Sequence, residues 1–157
     1  MNAANIHILL VEDNPDHAEL LRRCLENAGL CAQVHHAEDG EEALDYIFAQ
    51  KKFADRTRFP APDLVLLDLR LPRLDGIEVL KQVKNHPATR HLPVVVLTTS
   101  DAEHDLDTAI RLQADQFLTK PADAQTVKRL LLDFGLLSAP GAPVKNHSAM
   151  PQTSPPA

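Results

Sequence analysis

Side chains that can carry chemistry follow four short apolar runs of this sequence. Glu12 and Asp13 come directly after "IHILLV", Asp68 ends "LVLLD", Thr98 ends "VVVLT", and Lys120 follows "QFLT". An ionised carboxylate is costly to bury without a partner. The position of Asp68 at the end of an almost wholly apolar run therefore indicates a functional role.

The chemistry that these residues predict is phosphoryl transfer at a metal site. Three carboxylates held close together repel one another, which favours either a shared proton or a hard dication. Mg²⁺ fits because it accepts one or two carboxylates and a phosphoryl oxygen while it keeps several waters. A carboxylate beside it can attack phosphorus and form an acyl phosphate, whose charge Thr98 and Lys120 would share with the metal. We therefore interpret Asp68 as a phosphoryl acceptor.

Each of these residues also has an ordinary explanation. A single Asp at a strand end usually caps a helix, which is our interpretation of Asp75. Lys120 alone would be a solvated surface lysine, and Thr98 alone a strand-forming residue. Glu12 and Asp13 could simply lead into a helix. It is their coincidence at four strand ends that favours a common site.

Periodicity predicts that strands and helices alternate five times along the chain. Segments with helical spacing separate short β-branched or apolar runs at about 6–11, 33–37, 63–68, 93–98 and 115–118. Capping patterns at Asn14-Pro15, Asp39/Glu42, Asp75/Glu78 and Ser100/Glu103 predict where four helices begin. The alternation implies a doubly wound α/β domain with helices on both faces of a parallel sheet. In such a sheet, functional groups collect at the carboxyl ends of the strands.

Composition limits the classes of function. The chain has 157 residues, 44% of them apolar, which suits one domain with one substantial core. Its formal net charge of −6 lacks the basic excess of a nucleic-acid-binding protein, so we expect no nucleic-acid contact. No stretch has the length of a membrane span, and the N-terminus lacks the features of a signal peptide. We therefore expect a cytoplasmic protein, with Cys24 and Cys31 as reduced packing residues.

Two segments stand apart from the alternating pattern. Residues 138–157 contain five prolines and few bulky apolar side chains, so we predict a disordered tail after a domain at about 5–137. The connection at 49–62 exceeds the usual length of about 2–6 residues in such folds, and loops of this length are often used for contacts. We predict no second domain.

Four motifs of the sequence resemble those of the receiver domain of two-component response regulators. The matching segments, in the order of that family, are "LLVEDNP", "LLDLRLPRLDG", "PVVVLTTS" and "FLTKP". The resemblance covers about residues 5–137. It implies a flavodoxin-like fold, a five-stranded parallel sheet in the order 2-1-3-4-5. It also implies a regulator that phosphorylates and dephosphorylates itself, and not an enzyme acting on other substrates.

The resemblance implies a role for each acid of the site. Asp68 would take the phosphoryl group from the phosphohistidine of a sensor histidine kinase. Asp13 and Asp68 would ligate Mg²⁺ directly, together with the backbone carbonyl of Arg70. Glu12 would act through a metal-bound water.

The same resemblance implies how the phosphorylated state is recognised and how long it lasts. Thr98 and Lys120 would bind the phosphoryl oxygens, and Phe117 would be an aromatic switch that turns inward together with Thr98. Arg70 and Ser100 flank the pocket mouth and would control dephosphorylation by limiting the access of water.

Within this family, the sequence looks like the small regulators that are paired with bacterial phytochromes. Its output is expected to be a protein contact through the helix 4, strand 5 and helix 5 face at about 101–135, which is also a candidate homodimer contact. An alternative is a phosphate sink or relay intermediate without an output of its own. A haloacid-dehalogenase-type phosphatase is disfavoured because Arg70 stands where a second acid is needed. A receiver that works without phosphorylation is disfavoured because the set of site residues is complete.

Overall fold

Five strands and five α-helices alternate along the chain. The computed structural model describes residues 6–27, 32–71, 74–98, 103–120 and 123–136, so the predicted tail lies outside the described residues. The strands are β1 (Ile6–Val11), β2 (Ala32–Ala37), β3 (Leu64–Asp68), β4 (Val94–Thr98) and β5 (Gln116–Thr119). The helices are α1 (Pro15–Asn27), α2 (Gly40–Ile47), α3 (Gly76–Asn85), α4 (Glu103–Arg111) and α5 (Ala124–Asp133). None of these described helices is long and apolar enough to cross a membrane.

The sheet has the predicted topology. All neighbouring strands are parallel, and their order is β2-β1-β3-β4-β5. This confirms the doubly wound, flavodoxin-like arrangement. Strands β3, β4 and β5 begin one residue later than predicted. Just before β5, the side chain of Asp115 accepts the backbone N–H of Val94 at 2.8 Å, and the backbone N–H of Asp115 donates to the carbonyl of Val94 at 2.9 Å.

Two apolar cores lie on opposite faces of the sheet. One core packs α2, α3 and α4 against one face and contains Tyr46 and Leu67. The other packs α1 and α5 against the opposite face and contains Leu25, Leu66 and Leu131. Leu66 and Leu67 are consecutive in β3 and both fully buried, since successive side chains of a strand point to opposite faces. Helices therefore cover both faces of the sheet, as predicted.

Side-chain caps determine where several helices begin. The predicted caps Asn14, Asp39 and Asp75 each accept a backbone N–H from the first turn of their helix, at 2.9, 2.8 and 3.1 Å. Asp123 caps α5 in the same way, at 2.8 Å, and was not predicted. The predicted cap at Ser100 lies outside the described residues. Because α1 begins four positions after the last residue of β1, the Asn14 cap also defines the turn at the carboxyl end of that strand.

The long connection at 49–62 folds onto its own domain. It contains a short 3₁₀ helix, Lys51–Phe53, and Phe53 is buried in the core beside α2. Arg56 donates hydrogen bonds to the carbonyls of Tyr46 and Ile47, at 3.0 and 2.8 Å. These are among the last carbonyls of α2, which receive no hydrogen bond from an N–H group of the helix itself. The connection thus supplies hydrogen-bond donors to the C-terminal end of α2. Its predicted contact with a partner stays a prediction.

Candidate functional site

The carboxyl edge of the sheet brings the predicted site residues into one cleft. Because β1, β3, β4 and β5 are parallel and in register, the residues at their carboxyl ends lie side by side. The cleft has a volume of about 310 Å³ and is lined by Glu12, Asp13, Asn14, His17, Asp68, Leu69, Arg70, Leu97, Thr98 and Lys120. All three acids, the threonine and the lysine that carried the sequence argument are therefore in the same cleft.

Lys120 joins two of the acids. Its Nζ lies 2.8 Å from Oδ2 of Asp68 and 2.8 Å from Oε1 of Glu12. The side chains of Glu12, Asp68 and Lys120 are 3%, 11% and 18% exposed, so this charged group is largely shielded from water. The attraction between opposite charges is stronger in such surroundings than at the surface, and it offsets the cost of removing these charges from water. The carboxylate of Asp68 is thus buried with a partner.

Opposing effects act on the pKa of Lys120. Burial lowers the pKa of the ammonium, and this is the largest single effect. The hydrogen bonds and negative charges of Asp68 and Glu12 together outweigh it, so that the pKa lies above the ordinary lysine value. Lys120 is therefore a permanent cation at neutral pH.

The turn after β3 holds the other oxygen of Asp68. The backbone N–H of Arg70 donates to Oδ1 of Asp68 at 2.9 Å. The chain then returns to this strand end, where the N–H of Gly76 donates to the carbonyl of Leu69 at 3.0 Å. A Cβ at position 76 would lie 2.5 Å from the backbone oxygen of Asp68, so only glycine fits this approach. The acid is thus oriented by backbone on one side and by Lys120 on the other.

Glu12, Asp13 and Asp68 form a set of oxygen ligands for a divalent cation. One carboxylate oxygen from each lies within 4.8 Å of those of the other two. Asp13 is exposed whereas Glu12 and Asp68 are buried, so water can enter from the side of Asp13. Lys120 offsets only one of the three negative charges, and the remaining charge favours a dication. A hard, all-oxygen set that is open to water fits Mg²⁺.

Three contacts to Glu12 were not predicted. Its Oε2 accepts the backbone N–H of Asn14 at 3.2 Å and lies 3.7 Å from Nδ1 of His17. Its carbonyl oxygen lies 2.6 Å from Nε2 of His36 on β2. The Asn14-Pro15 cap could have indicated Asn14 and His17, because it places the first turn of α1 beside the end of β1. Finding His36 required the register of β2 against β1.

The remaining predicted residues lie at the margins of the cleft or beyond it. Arg70 lines the cleft with an exposed side chain. Phe117 is half-buried and packs against the core that contains α2, α3 and α4. Ser100 lies outside the described residues. The switch role of Phe117 and the control of dephosphorylation by Arg70 and Ser100 stay predictions.

The fold and the cleft define the class of protein, and comparison with known families agrees. The model of the response regulator receiver domain matches residues 8–131. The chain belongs to this family. It is a receiver-domain response regulator of two-component systems, which confirms the resemblance seen in the four motifs.

Individual relatives include archaeal and cyanobacterial regulators. The probable methanogenesis regulatory protein FilR2 of Methanothrix harundinacea is 43% identical over 78% of this chain and 76% of its own length. The response regulator Rcp1 of Synechocystis is 34% identical over 79% of this chain and 82% of its own length. The chain thus spans most of the length of both relatives.

Solved structures of phytochrome response regulators share the fold. The bacteriophytochrome response regulator AtBRR has a TM-score of 0.74 and 40% identity, over 87% of this chain and 96% of that one. The phosphorylated cyanobacterial phytochrome response regulator RcpA has a TM-score of 0.70 and 36% identity, over 82% and 89%. The Mn²⁺-bound form of Rcp1 has a TM-score of 0.69 and 33% identity, over 85% and 99%. These similarities confirm the predicted likeness to small phytochrome-associated regulators.

Proposed function

We propose that this protein is a response regulator that accepts a phosphoryl group on Asp68 from a sensor histidine kinase. The observation that carries the proposal is the arrangement around Lys120, whose ammonium contacts both Asp68 and Glu12 at 2.8 Å in a cleft that also contains Asp13 and Thr98. A carboxylate, further acidic ligands, a hydroxyl and a cation are the groups that acyl-phosphate chemistry needs.

The acids of the cleft would hold Mg²⁺. Asp13 and Asp68 would ligate it directly with the carbonyl oxygen of Arg70, and Glu12 would act through a bound water. When bound, Mg²⁺ supplies positive charge that lowers the repulsion between the carboxylate and the incoming phosphoryl group. The membership in the receiver family and the Mn²⁺-bound form of Rcp1 support this assignment.

Residues of the chain itself orient the carboxylate of Asp68 and would balance the charge of the phosphoryl group. The N–H of Arg70 and the ammonium of Lys120 hold the two oxygens of Asp68. One of these oxygens would attack phosphorus with an electron pair, the P–N bond to the kinase imidazole would break, and the nitrogen would keep the electrons of that bond. Lys120 and the hydroxyl of Thr98 would then bind the phosphoryl oxygens.

The output of the proposed switch is a change in a protein contact. Thr98 ends β4 and Phe117 lies on the neighbouring β5. A movement of Thr98 toward the phosphoryl group would open space into which Phe117 turns, and this would alter the α4, β5 and α5 face. A switch and a phosphate sink differ here, because only the switch changes its contacts or oligomeric state on phosphorylation.

The kinase partner that the similarities support is a bacterial phytochrome. RcpA and AtBRR are named as phytochrome and bacteriophytochrome response regulators. The pairing can be tested by mixing the protein with phosphorylated bacteriophytochrome kinase and with an unrelated phosphorylated histidine kinase. Faster transfer from the phytochrome kinase supports the pairing, and equal or slower transfer contradicts it.

The phosphoacceptor is tested by incubation with acetyl phosphate and Mg²⁺, followed by measurement of intact mass. We expect wild type and Asp133→Asn, which changes an exposed acid at the end of α5, to gain one phosphoryl group. Asp68→Asn should gain none while its circular dichroism spectrum is unchanged. Labelling of Asp68→Asn to the wild-type level would overturn the assignment. Sedimentation of the labelled wild type then separates a switch from a sink.

The metal assignment predicts unequal effects of two neighbouring acids. Asp13→Ala should abolish both Mg²⁺ binding and phosphorylation, because it removes a direct ligand. Glu12→Gln should be milder, since its ligation is through water and the amide keeps hydrogen-bonding capacity. For both variants, calorimetric titration measures the binding of Mg²⁺, and labelling by acetyl phosphate measures phosphorylation. Equal losses in both variants would contradict the assigned roles.

A further inference from the structure

A pair of histidines on neighbouring strands forms a second group of metal-ligating side chains, apart from the acidic cleft. His7 on β1 and His35 on β2 place Nδ1 and Nε2 at a distance of 3.2 Å. Their rings are stacked, with centroids 5.4 Å apart and planes inclined by 29°. On its other side the His35 ring contacts the ring of Tyr46 on α2, at 5.4 Å between centroids.

We propose that His7 and His35 form a cross-strand chelate for a divalent transition metal ion that prefers imidazole, such as Zn²⁺. Zinc binds imidazole nitrogen at about 2.0–2.1 Å, so two nitrogens on one tetrahedral ion lie about 3.3 Å apart. The two ring nitrogens are already at nearly this separation, and rotation of the rings about their side-chain bonds would turn both lone pairs toward a shared ion. Because β1 and β2 are paired along their whole length, the backbones that carry the rings lose little further freedom when an ion binds.

The protonation state of His35 suits this role. Burial lowers the pKa of His35, and the positive charge of a protonated His7 ring and that of Arg22 lower it further. A neutral ring keeps a lone pair for a metal. The nitrogen that now donates the hydrogen bond between the rings would transfer its proton to the far nitrogen of the same ring, so chelation by neutral rings releases no net proton.

The surrounding charges act in opposite directions. The guanidinium of Arg22 disfavours a cation beside His35, whereas Asp63 brings a carboxylate to His7, whose backbone N–H it accepts at 2.9 Å. Within the described part of the chain, the acidic cluster is the only group of three candidate ligand atoms within 4.8 Å. Water would therefore complete the coordination of an ion at the histidine pair, and the ion should exchange readily.

Ligand chemistry separates this site from the acidic cleft. Carboxylate oxygens select hard ions such as Mg²⁺, whereas imidazole nitrogens select Zn²⁺, Cu²⁺ and Ni²⁺. Excess Mg²⁺ should therefore fill the cleft and leave the histidine pair free for Zn²⁺. The proposal does not depend on phosphorylation, so Asp68→Asn should bind Zn²⁺ at the pair as the wild type does.

Calorimetric titration of the full chain with Zn²⁺ in excess Mg²⁺ tests the proposal. Loss of even an outer-shell partner costs about tenfold or more in metal affinity, so His7→Gln and His35→Gln should each weaken Zn²⁺ binding by at least about tenfold. His91→Gln, at an exposed histidine beyond α3, is the matched control and should bind as the wild type does. Affinity of both pair variants within about twofold of wild type would overturn the proposal.

An NMR measurement on the wild type tests the same proposal without variants, which could lose metal binding simply because they fold poorly. Cu²⁺ is paramagnetic and broadens the NMR signals of the groups that bind it. At substoichiometric Cu²⁺ in excess Mg²⁺, the ring signals of His7 and His35 should broaden before those of His91 and His17. Earlier broadening at any other histidine would contradict the chelate.

Discussion

Lys120 is the residue on which the charge balance of the cleft depends. It contacts Asp68 and Glu12, and the side chain of Glu12 is only 3% exposed. Removal of one partner of a buried ion pair costs on the order of 3 kcal/mol, because the other charge is left without compensation. We therefore expect Lys120→Met to lower the free energy of unfolding in EDTA by about this amount, as measured by urea denaturation.

The design of that experiment includes its own controls. Lys81→Met, at an exposed position of α3, should leave the free energy of unfolding nearly unchanged. Glu12→Gln combined with Lys120→Met should recover part of the loss, since the neutral amide needs no counterion. A Lys120→Met variant as stable as the wild type would show that Glu12 and Asp68 are adequately solvated without the ammonium.

Lys120 also predicts a dependence of stability on alkaline pH. Its pKa is raised in the folded protein, since the bonds to Asp68 and Glu12 outweigh burial. Its stabilising contribution is therefore complete below the unfolded value of about 10.4 and is lost as the pH rises through the folded value. The difference in unfolding free energy between wild type and Lys120→Met should shrink above about pH 10.4. A difference that stays constant with pH would contradict this account.

At the scale of elements, the turn between β3 and α3 is the critical connection. Gly76 begins α3, and a Cβ there would lie 2.5 Å from the backbone oxygen of Asp68 and 2.6 Å from Cα of Leu69. Both atoms belong to the backbone and cannot rotate away. Gly76→Ala should therefore cost about 1–3 kcal/mol of stability through overpacking, although alanine is the better helix former.

Gly76→Ala should also slow phosphorylation of Asp68. Displacement of the strand end moves Asp68 relative to Lys120, so labelling of Gly76→Ala by acetyl phosphate should be slower than labelling of the wild type. Lys81→Ala, on the exposed side of the same helix, controls for the general effect of alanine and should leave both properties unchanged. Wild-type stability and labelling of Gly76→Ala would mean that the turn can relax without cost.

At the scale of the whole molecule, His35 links global stability to mildly acidic pH. The pKa of His35 is lowered in the folded protein by burial and by the charges of His7 and Arg22. The unfolded chain therefore binds a proton first as the pH falls through about 6.5, and stability declines until the folded value is passed. Tyr46 also lies beside the pair, and burial raises the pKa of its hydroxyl, so it stays neutral in this range.

This linkage is measured by urea unfolding between about pH 7.5 and pH 5. The wild type should lose stability more steeply than His35→Gln, which cannot take up the proton. The wild type and His35→Gln share the remaining histidines, so the difference between their curves isolates position 35. Parallel curves would show that His35 has the same pKa in the folded and unfolded states.

The sequence by itself determined the order and type of the elements. Alternating apolar runs and helical stripes required a covered parallel sheet, and the caps at Asn14, Asp39 and Asp75 lie where the local patterns predicted them. These features depend on residues within a few positions of one another. The site acids were also recognisable, because acidic residues at the ends of apolar strands conflict with burial unless they have a function. The four motifs supplied the strand order by resemblance.

Only the tertiary structure decided how those residues meet. That Lys120 contacts Glu12 as well as Asp68, that His36 reaches the carbonyl of Glu12, and that His7 stacks on His35 depend on strand register and side-chain rotamers. Residues 12 and 120 are joined only because β1, β3, β4 and β5 align at one edge. Such contacts arise from the packing of the whole chain, and short-range sequence patterns carry no information about distances of a few ångström between remote segments.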